Sequence, residues 1–191
     1  SHVGPRTSLE AIQMSRAPVI ASHSGARAVY DHPRNLTDEL LDAIRDNGGV
    51  AQMVAFRAYL RDTDPGLTAA MAEVRSEFGL DQPGGWERST PESRAAYQER
   101  IAALRAEYPD ATIADMADHI DYAVQRIGID HVGIVSDFDG GGGVRGWDDA
   151  SETPNVTAEL LRRGYSEEDL AKLWGGNVLR VMRAVEAAAV R

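Results

Sequence analysis

Two apolar rhythms alternate along the chain, one fitting strands and the other helices. Leu9, Ile12 and Met14 lie within Thr7–Ser15 at a spacing that predicts a short helix. Pro18 stops that helix, and the compact β-branched run Val19-Ile20-Ala21 predicts a buried parallel strand. Ser22-His23-Ser24-Gly25 follows at its C-terminal end. Asn35 to Thr37 offer caps for a helix over 38–45, with acidic residues in its first turn, and Asn47-Gly48-Gly49 ends it. Val50 to Phe56 reads as a second strand. Further on, Ile113 to Ile127 predicts an amphipathic helix closed by Gly128. It leads into a third strand, His131 to Ser136, which Asp137-Phe138-Asp139 and four glycines terminate. The tail is helical over roughly 156–163, 167–173 and 177–189.

Residues 57–111 interrupt this alternation and read as a helical insertion, punctuated by Pro65-Gly66 and Pro83-Gly84-Gly85. Two helices are expected there, about 67–78 and 91–107, with Arg94, Glu99, Arg100, Arg105 and Glu107 on a solvated face. Strands alternating with helices imply a parallel sheet with helical crossovers. Three strands in 191 residues make a thin sheet, whereas eight such units in a barrel take about 250 residues. The pattern therefore fits the C-terminal portion of a (β/α)8 TIM-type barrel, with residues 1–191 as one half of a single barrel domain. The chain opens Ser-His-Val-Gly without an initiator Met, and is expected to be a piece of a longer protein.

Composition narrows the function classes. A 43% hydrophobic fraction excludes wholesale disorder. A net charge of −10 argues against tracking nucleic-acid phosphates or seeking anionic membranes. The absence of cysteine removes disulfides, thiolate zinc sites and a cysteine nucleophile. No apolar run approaches the ~20 residues of a membrane span.

Catalytic groups of parallel α/β folds gather at the C-terminal ends of strands. His23 ends the first strand and Asp137 the last. His2 would end a strand preceding the chain, since a helix follows within a few residues. Two histidines and an aspartate at strand ends suit a metal hydrolase, although a catalytic zinc takes about three protein ligands plus water. Each also has a plainer reading: a structural histidine, a frayed terminus, and a turn-forming aspartate before glycines. Arg34 lies in the loop Asp31-His32-Pro33-Arg34-Asn35, as an exposed residue or as a two-point clamp for a carboxylate. His119-Ile120-Asp121 imitates a binuclear His-x-Asp motif. On a helix, however, residues two apart point ~200° away from each other, so it reads as helix surface and packing. His131 begins the third strand, ~20 Å from Asp137 and on the opposite, stabilising face. Gly140–Gly143 lacks the Gly-Lys-Ser/Thr ending of a phosphate loop.

Several segments together resemble the membrane (renal) dipeptidase family of zinc peptidases. They are Ser-Arg-Ala-Pro-Val-Ile-Ala-Ser-His-Ser-Gly-Ala-Arg-Ala-Val (15–29), Asp-His-Pro-Arg-Asn-Leu-Thr-Asp-Glu-Leu-Leu (31–41) and Gly-Ile-Val-Ser-Asp-Phe-Asp-Gly (133–140). The tail adds Glu-Leu-Leu-Arg-Arg-Gly-Tyr-Ser-Glu-Glu-Asp-Leu (159–170) and Gly-Asn-Val-Leu-Arg-Val (176–181). The match covers the family's C-terminal half, and the long 57–111 segment resembles its bacterial branch. The resemblance implies a metal-hydrolase barrel with two Zn2+ ions that cleaves dipeptides bearing a free C-terminal carboxylate. His2 and His23 fall on its two later zinc ligands, Arg34 on the arginine that holds the carboxylate, and Asp137 on the strand-end acid beside the metals. The family's other ligands, an early His-x-Asp pair and a bridging glutamate, precede Ser1 in the family's order, as does a histidine that contacts the tetrahedral intermediate. The expected partners are therefore a dipeptide and the N-terminal half of the barrel. A homodimer and a cytoplasmic location are compatible with this. Alternatives are another amide hydrolase on the same barrel, acting on lactams or acylated amino acids, and a non-catalytic half-barrel.

Overall fold

The structure is a computed structural model that describes residues 1–189. It divides into two compact units: Ser1–Arg61 together with the chain from Ala111 onward, and Asp62–Asp110.

The first unit is built on three parallel strands, β1 (Ile20–Ser24), β2 (Val50–Val54) and β3 (Val132–Val135), in the order β1-β2-β3. Helix α1 (Pro5–Met14) precedes β1, and α2 (Asp38–Asp46) crosses from β1 to β2. The short α3 (Arg57–Leu60) follows β2. After the second unit, α7 (Ile113–Ile127) leads to β3, and the tail carries α8 (Thr153–Arg162), α9 (Glu167–Ala171) and α10 (Asn177–Ala189). Between α9 and α10 the backbone leaves helical geometry at Gly175, so the expected helix over 167–173 stops at Ala171 and passes through a wide turn.

The core follows from the periodicity. Leu40, Leu41 and Ile44 of α2, and Met116, Ala117, Ile120 and Ala123 of α7, pack with Ala51 and Met53 of β2 and Val132 and Ile134 of β3. Leu160, Leu170 and Leu173 from the tail complete the same cluster. Thr112 and Asp115 form a reciprocal capping box that fixes the start of α7, and Ser166 and Asp169 do the same for α9.

Two expected details differ. Thr37 alone caps α2, accepting from the Leu40 N–H. Asn35 instead is buried: its Oδ1 accepts from the Gly25 N–H at 2.8 Å, and its Nδ2 donates to the Tyr30 and Tyr59 carbonyls. His131 sits in a tight turn just before β3, with Nδ1 2.9 Å from the Gly49 carbonyl, at the N-terminal end of the strands.

The second unit holds α4 (Pro65–Glu77), α5 (Gly85–Arg88) and α6 (Pro91–Glu107). Leu67 and Val74 of α4 pack on Ile101 and Leu104 of α6, with Phe78, Tyr97 and Tyr108 around them. Among the described residues no helix is long and apolar enough to cross a membrane.

Candidate active site

Four side chains singled out in the sequence meet at the C-terminal ends of the strands. Strand β1 runs further than expected, so His23 lies within it, and the pairing with β2 slips between Ala21 and Ser24. Three residues on β1 there oppose two on β2, and such a bulge re-aims the side chains it carries. His2 approaches from the segment before α1. The two Nε2 atoms are 2.7 Å apart, and the rings lie with centroids 4.8 Å apart. Arg34 brings a guanidinium nitrogen to 3.4 Å from the same Nε2 of His23. Asp137 follows β3, close enough for its carboxylate to act on the charge of His23.

The backbone marks the same places. Among the described residues, His2 (φ 66°) and Asp137 (φ 58°) are the two non-glycine residues in the left-handed region. Such conformations are costly and are held only where the surroundings over-determine them. At Asp137 the surroundings are the glycine run. The Gly140 and Gly142 N–H groups both donate to the Asp137 carbonyl, at 3.0 and 2.7 Å. A Cβ on Gly140 would stand 2.5 Å from the Asp137 carboxylate, and one on Gly142 2.0 Å from the Ser136 carbonyl. The glycines are therefore what lets the loop fold back around Asp137. The Gly143 N–H to the Ala55 carbonyl (2.6 Å) and an Arg57–Asp148 ion pair tie the loop to the residues that follow β2.

Burial lowers the pKa of His23, the Asp137 carboxylate opposes that, and the positive neighbours His2 and Arg34 add to the lowering. The ring is thus held in the neutral form that binds metals. Ser22 Oγ lies 2.8 Å from His23 Nδ1. With the Nδ1 proton donated to that hydroxyl, Nε2 carries the lone pair, as a metal-ligating histidine requires.

The arrangement fits part of a metal site. Two imidazole nitrogens converge on one point, which supplies two nitrogen donors of the kind zinc takes. Their 2.7 Å separation is tighter than the ~3.3 Å between two nitrogens on one tetrahedral zinc, so the rings would open slightly around an ion. Among the described residues no group of three or more His, Asp or Glu side chains is placed to hold a metal. Arg34 lies on an aromatic platform, 5.1 Å from the Tyr59 ring centroid, and Tyr59 in turn packs on His32 and Phe56.

The sequence reading missed Ser22 and Tyr59. Ser22 had the signal of adjacency to His23; Tyr59, 25 residues beyond Arg34, had none. The reading of His119-Ile120-Asp121 as helix surface and packing divides between the two residues: the His119 ring is fully buried, and Asp121 is near solvent, bonded to Tyr165 and Arg163. The two side chains do diverge, and neither reaches His23.

Known proteins share this chain's sequence and fold. The family profile of the membrane dipeptidases (peptidase family M19) matches residues 1–191. Dipeptidase ataJ of Aspergillus terreus is 36% identical over 192 residues, covering all of this chain and 36% of that protein. Dipeptidase tcpJ of Claviceps purpurea is 34% identical, over 99% of this chain and 34% of its own length. The chain thus spans about a third of the curated relatives it matches. Among solved structures, the probable dipeptidase PvdM of Pseudomonas aeruginosa superposes with a TM-score of 0.74 at 41% identity, over 96% of this chain and 49% of that one. A metallo peptidase of Rhodobacter sphaeroides, liganded with a phosphinate mimic of the dipeptide L-Ala-D-Ala, gives a TM-score of 0.69 at 25% identity, over 96% of this chain and 41% of that one. On sequence and fold together, the chain belongs to the membrane dipeptidase family, M19.

Proposed function

We propose that this chain is the C-terminal portion of a (β/α)8 metal-hydrolase barrel, and that the complete protein hydrolyses dipeptides with a free C-terminal carboxylate. The observation that carries this is the convergence of His2, His23 and Arg34 at one end of the sheet, with Asp137 alongside. A hydrolase needs donors for a metal, a proton carrier and an anchor for the substrate, and these four side chains supply one or more of each.

His2 and His23 would hold a divalent metal, zinc by donor type, with the remaining ligands coming from the rest of the barrel. Such an ion supplies polarisation of the scissile carbonyl and an activated water. Arg34 binds the substrate carboxylate through its guanidinium fork, pre-oriented on Tyr59. That anchor sets the length limit, because a longer peptide has no carboxylate at this distance from the scissile bond. Asp137 carries the proton to the departing nitrogen. The glycine loop holds the carboxylate still while it does so.

The test compares a dipeptide with its C-terminal amide in the full-length protein. Wild type should strongly prefer the free acid. Arg34→Ala should raise KM by the ~1.5–3 kcal/mol of a hydrogen bond to a charged group, with a smaller change in kcat, and should lose most of that preference. A mutant that keeps the wild-type preference would show that the carboxylate is held elsewhere. An amide hydrolase for lactams or acylated amino acids would treat both compounds alike.

A further inference from the structure

His119 lies on α7, outside this site. The ring is fully buried, on the face of α7 that meets the turn after β1. Its Nδ1 lies 2.9 Å from the Ala26 nitrogen. A backbone N–H can only donate, so Nδ1 is the acceptor and the ring proton sits on Nε2. That Nε2 is buried and faces the Leu60 carbonyl without a well-formed hydrogen bond. An apolar residue of similar volume would fill the same space without leaving a buried polar atom so poorly partnered. The polar ring therefore matters for the bond its other nitrogen makes.

That bond holds one of two consecutive N–H groups. The Gly25 N–H goes to Asn35 Oδ1 and the Ala26 N–H to His119 Nδ1. A Cβ on Gly25 would stand 2.5 Å from the first acceptor and 2.8 Å from the second, so the turn is gripped between them. The next bonds run straight to the Arg34 loop: the Leu36 N–H donates to the Gly25 carbonyl and the Arg27 N–H to the Leu36 carbonyl, each at 2.8 Å. One short strap thus begins two residues after His23 and is laced to the chain two residues after Arg34.

We propose that His119 is a positioning residue that sets the distance between His23 and Arg34, and so between the metal and the anchored substrate carboxylate. The kinetic arm of this proposal rests on the dipeptidase reading above; the structural arm does not. Removing Nδ1 frees the Ala26 N–H, which then seeks another acceptor and lets the strap shift.

The experiment uses His119→Leu and His119→Asn in the full-length protein. Leu keeps the bulk and removes the acceptor, while the Asn amide oxygen can occupy the place of Nδ1. Crystal structures of both variants are compared with wild type for the separation of Arg34 from His23 Nε2. KM and kcat are measured on L-Ala-D-Ala and on its C-terminal amide. The proposal expects the separation to change in His119→Leu, KM for the free acid to rise at least 10-fold with kcat changing less, and the preference over the amide to fall. His119→Asn should restore both the distance and the preference. A merely structural histidine would lower the melting temperature and leave the free-acid preference intact, which overturns the proposal. An unchanged separation in a folded His119→Leu also overturns it. If His119→Leu does not fold, His119→Asn decides alone: wild-type distance and preference support the role of the acceptor, and their loss overturns it. Should wild type itself cleave neither compound, the dipeptidase reading falls, and the crystallographic comparison still decides the role of His119.

Discussion

Asp137 shows how a single residue joins chain geometry to chemistry. Its φ of 58° is tolerated by aspartate and asparagine better than by most residues, because their short polar side chains hydrogen-bond locally. The same fact makes Asp137→Asn a clean substitution. Asparagine keeps the left-handed backbone and the shape, and loses only the titrating oxygen. If Asp137 moves a proton in the transition state, kcat should fall by ~10²–10⁴-fold with KM and melting temperature little changed. A drop confined to stability, read by thermal unfolding, would return Asp137 to the role of turn former. The sequence reading reached Asp137, His23, His2 and Arg34 from strand ends, one loop and quoted motifs. No local signal marks the left-handed backbone at His2 and Asp137. The contact of His119 with the turn after β1 was not legible either, because periodicity gives a helix face without naming its neighbour.

At the scale of elements, long periodic segments were legible and one-turn helices were not. The helices at 91–107, 113–127 and 177–189 form over the predicted spans, each running three turns or more. The one-turn helices α3 and α5 carry too little pattern to register. The 176–181 motif was legible as a resemblance but not as a mechanism, and the structure supplies one. Asn177 Nδ2 donates to the Ile129 and Val132 carbonyls, and Arg180 donates to the carbonyls of Gly48, Gly49 and Asp130. The start of α10 thereby pins the segments that enter β2 and β3, at the end of the sheet away from His23. Arg180→Ala removes three charge-assisted bonds, so it should cost about 2 kcal/mol in stability. Arg6→Ala, at a pair whose guanidinium is 93% exposed, should cost under ~0.5 kcal/mol. Denaturant unfolding of the two variants in the full-length protein checks the contrast; equal losses would mean that Arg180 carries no special load.

For the molecule as a whole, the sheet sets the conditions for folding. Among the described residues, strands β1 and β3 each have one hydrogen-bonded strand neighbour, so both outer edges present unpaired backbone groups. Parallel sheets are stable almost only when covered on both faces. Here Ile20 on edge strand β1 is 41% exposed, and α10 shows solvent a stripe of Leu179, Met182 and Val185, each at least 41% exposed. Leu179, Met182 and Val185 recur at intervals of three, as one face of a helix does when it packs on something. The relatives are nearly three times as long as this chain, and a complete barrel would pair both strand edges. The 191-residue chain produced alone should therefore self-associate or remain partly unfolded. Sedimentation should show concentration-dependent species larger than 20.7 kDa, and thermal unfolding should be broad. On the barrel reading proposed above, co-expression with the rest of a full-length relative should yield a soluble complex with a sharp transition. Substituting the exposed stripe with Lys or Glu should lessen association of the lone chain and weaken the complex, because one surface serves both. A lone chain that sediments as a monomer and unfolds in one cooperative step would show instead that three strands and their helices suffice.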